Sequence, residues 1–136
     1  MGPVRNESEM TQYLSFLEAL KSAEIPHLAT TSKELQYNKE WIEALDLKNM
    51  VDTMQACCKA SILRKESRGV HYREDYPTVD NENWLKEIVI QQIDENWKFS
   101  TRPVDSSKLS QPTGIIPYMD FTKIMMQSHS EIGGHH

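Results

Sequence analysis

Residues 47–62, LKNMVDTMQACCKASI, decide the fold. Leu47, Met50, Val51, Met54, Cys58 and Ile62 recur at steps of three and four, with Ser61 on the same side. That spacing puts one apolar face along about five helical turns. Ala56, Ala60 and the two cysteines are small and let a second helix approach closely. Met50 and Met54 read as core fillers, because thioether side chains adapt to irregular gaps. Cys57 and Cys58 read as small buried hydrophobes. Helix neighbours point about 100° apart, so the two thiols are poorly placed to pair.

Upstream, a helical stretch starts near Ser32 or Asn38 and carries Trp41, Ile42 and Leu45, with a break expected near Asp46. An earlier helix spans about Ser8 to Ala23. Its stripe is Met10, Tyr13, Leu14, Leu17 and Leu20; Asn6 or Ser8 caps it and Pro26 ends it. Downstream, Gly69 is expected to stop the long helix, with Arg64, Lys65 and Arg68 in its last turn against the negative end of the dipole. From Val70 to Asn83 the chain reads as irregular. Lys86 to Ile93 is β-branched, and Trp97 to Val104 alternates with period two. Asp94, Glu95 and Asn96 between them offer a turn, so the pair reads as a β-hairpin. After Pro103 the chain is polar and reads as an extended tail with one short amphipathic helix, Tyr118 to Met126.

The chain has 136 residues and a net charge of −5. That balance argues against nucleic acid, which requires a basic stripe. Arg64, Lys65, Arg68 and Arg73 cluster, but Glu66, Glu74 and Asp75 interrupt them. Two cysteines are too few for a disulfide framework, so a reducing cytoplasm is expected. No apolar run of about 18 residues is present. Met1-Gly2-Pro3 reads as a non-native start. The end, Gly133 to His136, reads either as a natural tail or as the start of a purification tag, so its histidines carry no metal argument.

The densest polar segment is ESRGVHYREDYP, residues 66–77. His71 with Asp75 could relay a proton, and Arg68 with Arg73 could clamp a dicarboxylate. The plainer reading is structural: a helix end needs partners for its carbonyls, and these side chains tie down the loop that follows. His27, His71 and His129 lack zinc spacing. Ser128-His129-Ser130 shows no partner for nucleophilic catalysis. No GxGxxG or other phosphate-binding loop occurs.

That segment resembles the ESRGAHxREDxP signature of the succinate dehydrogenase/fumarate reductase flavoprotein family. DNENWLK, residues 80–86, resembles the family's DDENWLKH. NKEWIEALDLKNM, residues 38–50, resembles NTELLEALELENM; Arg64-Lys65 fits the family's ARKESRG; and Thr101 to Val104 fits a hairpin return strand. The segments follow in family order over residues 3–104. Val70 stands where alanine is usual, and Glu87 where histidine is frequent. L-aspartate oxidase carries a similar ESRG segment, but Asn83-Trp84-Leu85-Lys86 and the long hairpin favour the dehydrogenase/reductase branch.

The resemblance implies a mainly α fold: a spectrin-repeat-like three-helix bundle over residues 1–77, truncated at its first helix because GPVRN resembles a helix-ending GVVRN. A loop and β-hairpin occupy residues 78–104, and a tail with a short helix residues 105–136. It implies an FAD-dependent parent that interconverts succinate and fumarate. The flavin and the substrate-handling residues would lie in other parts of that subunit, with none in this piece. The implied role is docking on the N-terminal FAD-binding domain and on the iron-sulfur subunit, with a membrane anchor reached only indirectly, at the cytoplasmic face of the membrane. Glu66, Ser67, Arg68, Gly69, His71, Arg73, Asp75, Asn83 and Trp84 would be junction residues. A stripe left bare by the missing helix, Leu47, Met50, Val51 and Met54, could pair two copies of the isolated piece. A free-standing helical adaptor and a small enzyme using His71 are the alternatives.

Overall fold

The computed structural model describes residues 2–34, 36–93, 96–105, 107–108 and 110–132, with side chains as far as 127. Helix α1, Glu7–Ala19, starts where expected. Asn6 is its N-cap: the side-chain oxygen accepts from the Glu9 amide at 2.9 Å, and Glu7 and Glu9 face the positive end of the dipole. The helix loosens into a π turn, Leu20–Glu24, then a 3-10 turn, Ile25–His27, that holds Pro26. Helix α2, Lys39–Leu63, is capped by Asn38, which accepts from the Trp41 amide at 3.1 Å.

Two expectations about α2 need correction. It runs unbroken through Asp46. An exposed aspartate within a helix costs only about 0.5–0.7 kcal/mol relative to alanine, too little to interrupt a helix packed elsewhere along its length. It also ends at Leu63, well before Gly69, with Arg64 as its extended C-cap. Gly69, at φ +58°, instead forms the bend of a tight turn in which Arg68 and His71 exchange backbone hydrogen bonds at 2.8 and 3.0 Å.

Helices α1 and α2 lie antiparallel. The Cys58 thiol donates to the Met10 carbonyl at 3.3 Å, the Tyr13 hydroxyl meets the Met54 sulfur, and Lys21 pairs with Asp52. Met10, Leu17, Val51 and Cys58 fill the seam, and Ala56 is buried as well. Because one helix covers only part of another, the rest of the α2 face stays open. Met50 is 50% exposed and Met54 39%, so neither fills a core, and Cys57 faces outward while Cys58 is buried. Trp41, Ile42 and Leu45 are exposed as well.

The segment read as irregular holds two short strands. β1, Val4–Arg5, runs parallel to β2, Tyr72–Arg73. β3, Thr78–Asp80, pairs antiparallel with β6, Ile115–Pro117, and buries Val79 completely. β4, Lys86–Ile93, and β5, Asn96–Pro103, form the expected hairpin, in register from Lys86 opposite Pro103 to Ile93 opposite Asn96. Asp94 and Glu95 of the expected turn lie outside the described residues. The tail is therefore not simply extended: β6 returns to the body, and helix α3, Tyr118–Ile132, outruns the expected short helix and packs on β3 and β6. Among the described residues, α1 and α2 form a pair and no three-helix bundle is seen. No described helix is long and apolar enough to cross a membrane.

Candidate functional site

The end of α2, the two short sheets and the start of the hairpin meet around two buried charges. The first is Glu66, with no exposed surface. Its carboxylate accepts from Arg64 Nη1, from Arg68 Nε and Nη2 at 3.0 Å each, and from the Asp80 amide at 3.0 Å. Arg68 Nη2 also donates to Asn81 Oδ1 at 2.9 Å. Arg64 donates to the carbonyls of Trp84 at 3.1 Å and Lys86 at 2.6 Å, and its guanidinium lies over the Trp84 ring. A buried carboxylate thus binds the helix end to β3 and to the root of the hairpin. Lys86 covers the same ring at 4.5 Å, so Trp84 is flanked by two cations.

The second buried charge is Arg73, also with no exposed surface. Nη1 donates to the carbonyls of Ser61, Ile62 and Arg64 at 3.3, 3.0 and 3.0 Å. Helix ends leave such carbonyls without partners, and here a side chain nine to twelve residues away supplies them. Nε and Nη2 grip both oxygens of Asp75, and Nη2 reaches Glu7 at 3.2 Å. The Tyr76 ring lies 4.6 Å from the guanidinium. Asp75 in turn accepts from the Glu7 amide at 3.1 Å, at the start of α1. The Arg73 bonds hold the Asp75 carboxyl below its usual range, and Asp75 pushes the guanidinium further up. Ser67 closes this layer: its oxygen accepts from the Arg73 amide at 2.8 Å, and its hydroxyl has the Tyr76 carbonyl at 2.8 Å as nearer acceptor.

His71 stands apart. Its Nδ1 accepts from Arg5 Nη1 at 2.8 Å. A guanidinium only donates, so the neutral ring carries its proton on Nε2, which is buried and makes no well-formed hydrogen bond, although the Arg64 carbonyl favours that proton. Burial first, then the charges of Arg5, Arg73 and Arg64, push His71 below the ordinary histidine value. The sign follows from linkage. The unfolded chain takes up a proton below about pH 6.5 while the folded ring resists it, so stability falls as pH drops from that value toward the depressed one. Asp75 adds a second loss at lower pH, below about 3.8, as its depressed folded value is crossed. His71→Asn is expected to flatten the first limb of a urea midpoint against pH profile and leave the second. An unchanged first limb would remove His71 as its source.

Every nominated residue lies in or beside this junction, but the two chemical readings do not survive. His71 bonds Arg5 and Asp75 bonds Arg73, so no relay links them. Arg68 and Arg73 are engaged by Glu66 and Asp75 within the chain, which leaves no clamp for a dicarboxylate. Asn83 braces the turn after β3: its amide and side-chain nitrogen donate to Asp80 at 2.9 and 3.0 Å. Burial alone would raise the Asp80 carboxyl, but the bonds from Asn83 and Glu82 bring it below its usual range. Gly69 offers its carbonyl to the Tyr118 hydroxyl at 2.6 Å, which fastens α3 to the turn. The sequence reading missed Arg5, Glu7, Asp80, Asn81 and Tyr118. Arg5, Glu7, Asn81 and Tyr118 act on partners that local spacing cannot reveal, and Asp80 reaches Glu66 through its amide. Among the described residues no group of three or more His, Cys, Asp or Glu could hold a metal.

Comparison with known proteins accounts for the arrangement. A family model described as fumarate reductase flavoprotein C-term matches residues 1–117. The succinate dehydrogenase flavoprotein subunit of Rickettsia conorii is 37% identical over 87 residues, 62% of this chain and 14% of that protein. The corresponding subunit of Coxiella burnetii is 32% identical over 117 residues, 86% of this chain and 19% of that protein. Sdh1 of Mycobacterium smegmatis, solved in complex with UQ1, superposes with a TM-score of 0.68 at 29% identity, covering 76% of this chain and 18% of that one. The FrdA chain of E. coli quinol fumarate reductase shares the fold, with a TM-score of 0.75 at 20% identity, covering 82% of this chain and 20% of that one. The chain spans about a seventh to a fifth of the length of these relatives. It belongs to the succinate dehydrogenase/fumarate reductase flavoprotein family, whose C-terminal domain it represents.

Proposed function

We propose that this chain is a docking domain and holds neither flavin nor reacting groups. In this reading it packs on the FAD-binding part of an oxidoreductase that interconverts succinate and fumarate, and forms part of the surface that meets an iron-sulfur subunit. The parent complex would sit at the cytoplasmic face of a membrane, touching any anchor only through other subunits. The observation that carries this is saturation: the charged side chains of the family signature spend their bonds inside the domain, joining α1, α2 and the hairpin. Such a cluster holds a shape, and Glu66 and Asp75 already occupy Arg68 and Arg73.

The exposed apolar residues of α2 fit the same reading. Trp41, Ile42, Leu45 and Met50 are exposed along one helix. A third helix, completing a spectrin-repeat-like bundle, is proposed to cover them within a longer flavoprotein. In the isolated chain a second copy would take that place, which sedimentation velocity reads directly.

The deciding experiment uses a full-length relative carrying this domain in place of its own. Arg73→Ala there is expected to weaken subunit assembly or flavin retention, with catalysis falling only in proportion. Turnover abolished while assembly and flavin content stay intact would overturn the docking reading.

A further inference from the structure

Arg5 is the signature's unexpected neighbour. Its Nε donates to the Gly2 carbonyl at 3.1 Å and its Nη1 to His71, and no described carboxylate comes within ion-pair distance. A groove of about 300 Å³ opens beside it, lined by Arg5, Ala60, Ser61, Arg64, His71 and Ile88. No acid is among them. Arg64 is already paired with Glu66, so Arg5 is the lining cation without a described carboxylate in ion-pair reach. Ala60 and Ile88 give the walls an apolar part, and the Ser61 side chain is small. A half-buried arginine beside an apolar wall favours a planar anion that takes two parallel N–H bonds.

We propose that this groove receives a carboxylate side chain, aspartate or glutamate, from the polypeptide that covers this face of the domain. The proposal rests on the docking reading for the existence of that polypeptide and adds the chemistry of its anchor. Charge complementarity selects the occupant: one guanidinium without a described carboxylate in ion-pair reach, little room, and walls too apolar to favour a heavily hydrated ion. The carboxylate would accept from the Arg5 Nη2 side, with Ser61 at hand as a second donor.

The test needs no partner protein. The whole chain, labelled with nitrogen-15, is titrated with N-acetyl-glutamate amide, with the glutamine analogue, and with inorganic phosphate, and the arginine side-chain and His71 ring signals are followed by NMR. The expected result is a saturable shift of the Arg5 and His71 signals with the glutamate compound, at least tenfold weaker with the other two. Arg5→Gln should abolish it. Ser61→Glu, which places a carboxylate in the groove from a helical position without removing Arg5, should abolish it too and keeps the test valid if Arg5→Gln disturbs β1. Lys39→Gln, far along α2, should change nothing. Equal binding of phosphate would make this a general anion site, and equal binding of the glutamine analogue, or survival in Ser61→Glu, would show no carboxylate pocket at all. Each of those outcomes overturns the proposal but leaves the docking reading standing. Conversely, loss of the docking reading in the full-length relative would leave this binding measurement untouched.

Discussion

Arg73→Ala is expected to destabilise this chain by about 3–5 kcal/mol, the cost of removing a fully buried side chain that bonds three helix-end carbonyls and two carboxylates. Most of that cost should come from the carbonyls. Ser61, Ile62 and Arg64 lose their shared donor, and an unsatisfied buried acceptor costs about 1–3 kcal/mol where water cannot replace the bond. Asp75 and Glu7 suffer less, since their side chains are 29% and 50% exposed and can rehydrate. Arg73→Lys should fall between the wild type and the alanine variant. An ammonium restores the charge but cannot span the Asp75 fork and three carbonyls together. Total stability of a domain this size is about 5–15 kcal/mol, so the alanine variant should unfold at a much lower urea concentration. A loss under about 1 kcal/mol would mean that water reaches the end of α2 and that Arg73 is not its cap.

Much of this was legible in the sequence, and the failures have a common cause. Helix α1 and the hairpin declared themselves by local period, and Asn6, Asn38 and Pro26 marked ends through chemistry confined to a few residues. β1, β2, β3 and β6 did not, because strands of two or three residues have no period and exist only through distant partners. Arg5 pairs with Arg73 across the parallel ladder, and Val79 with Ile116. The burial of Met50 and Met54 was misread for a related reason. Spacing reports which residues share a face, not how much of that face another element covers. The signature residues were singled out by type and order alone, and whether Arg68 and Arg73 faced outward or inward depended on Glu66 and Asp75. Residue types two positions apart in an irregular segment fix no direction. Gly69 was recognised as a stop and proved to be a turn, since a glycine at positive φ serves both and only the preceding carbonyl bonds distinguish them.

Glu66→Gln is expected to cost about 3 kcal/mol and to loosen the hairpin before the helices. The substitution preserves shape, so the loss isolates charge and donor direction. Every group around Glu66 donates: Arg64, Arg68 and the Asp80 amide. A glutamine amide must point its own NH₂ at one of them, and it leaves two guanidiniums, on side chains only 18% and 25% exposed, without their shared counter-ion. The hairpin should feel this first. A two-stranded sheet is marginal alone, and Arg64, held by Glu66, is what fastens the carbonyls of Trp84 and Lys86 at its root. Amide hydrogen exchange is therefore expected to quicken in β4 and β5 well before α1 and α2 in the variant. Adding Arg68→Met to Glu66→Gln should recover part of the loss, because one of the two stranded charges is then gone and the sites couple directly. Uniform exchange across helices and hairpin, or strictly additive losses in the double variant, would show that Glu66 is not the tie between them.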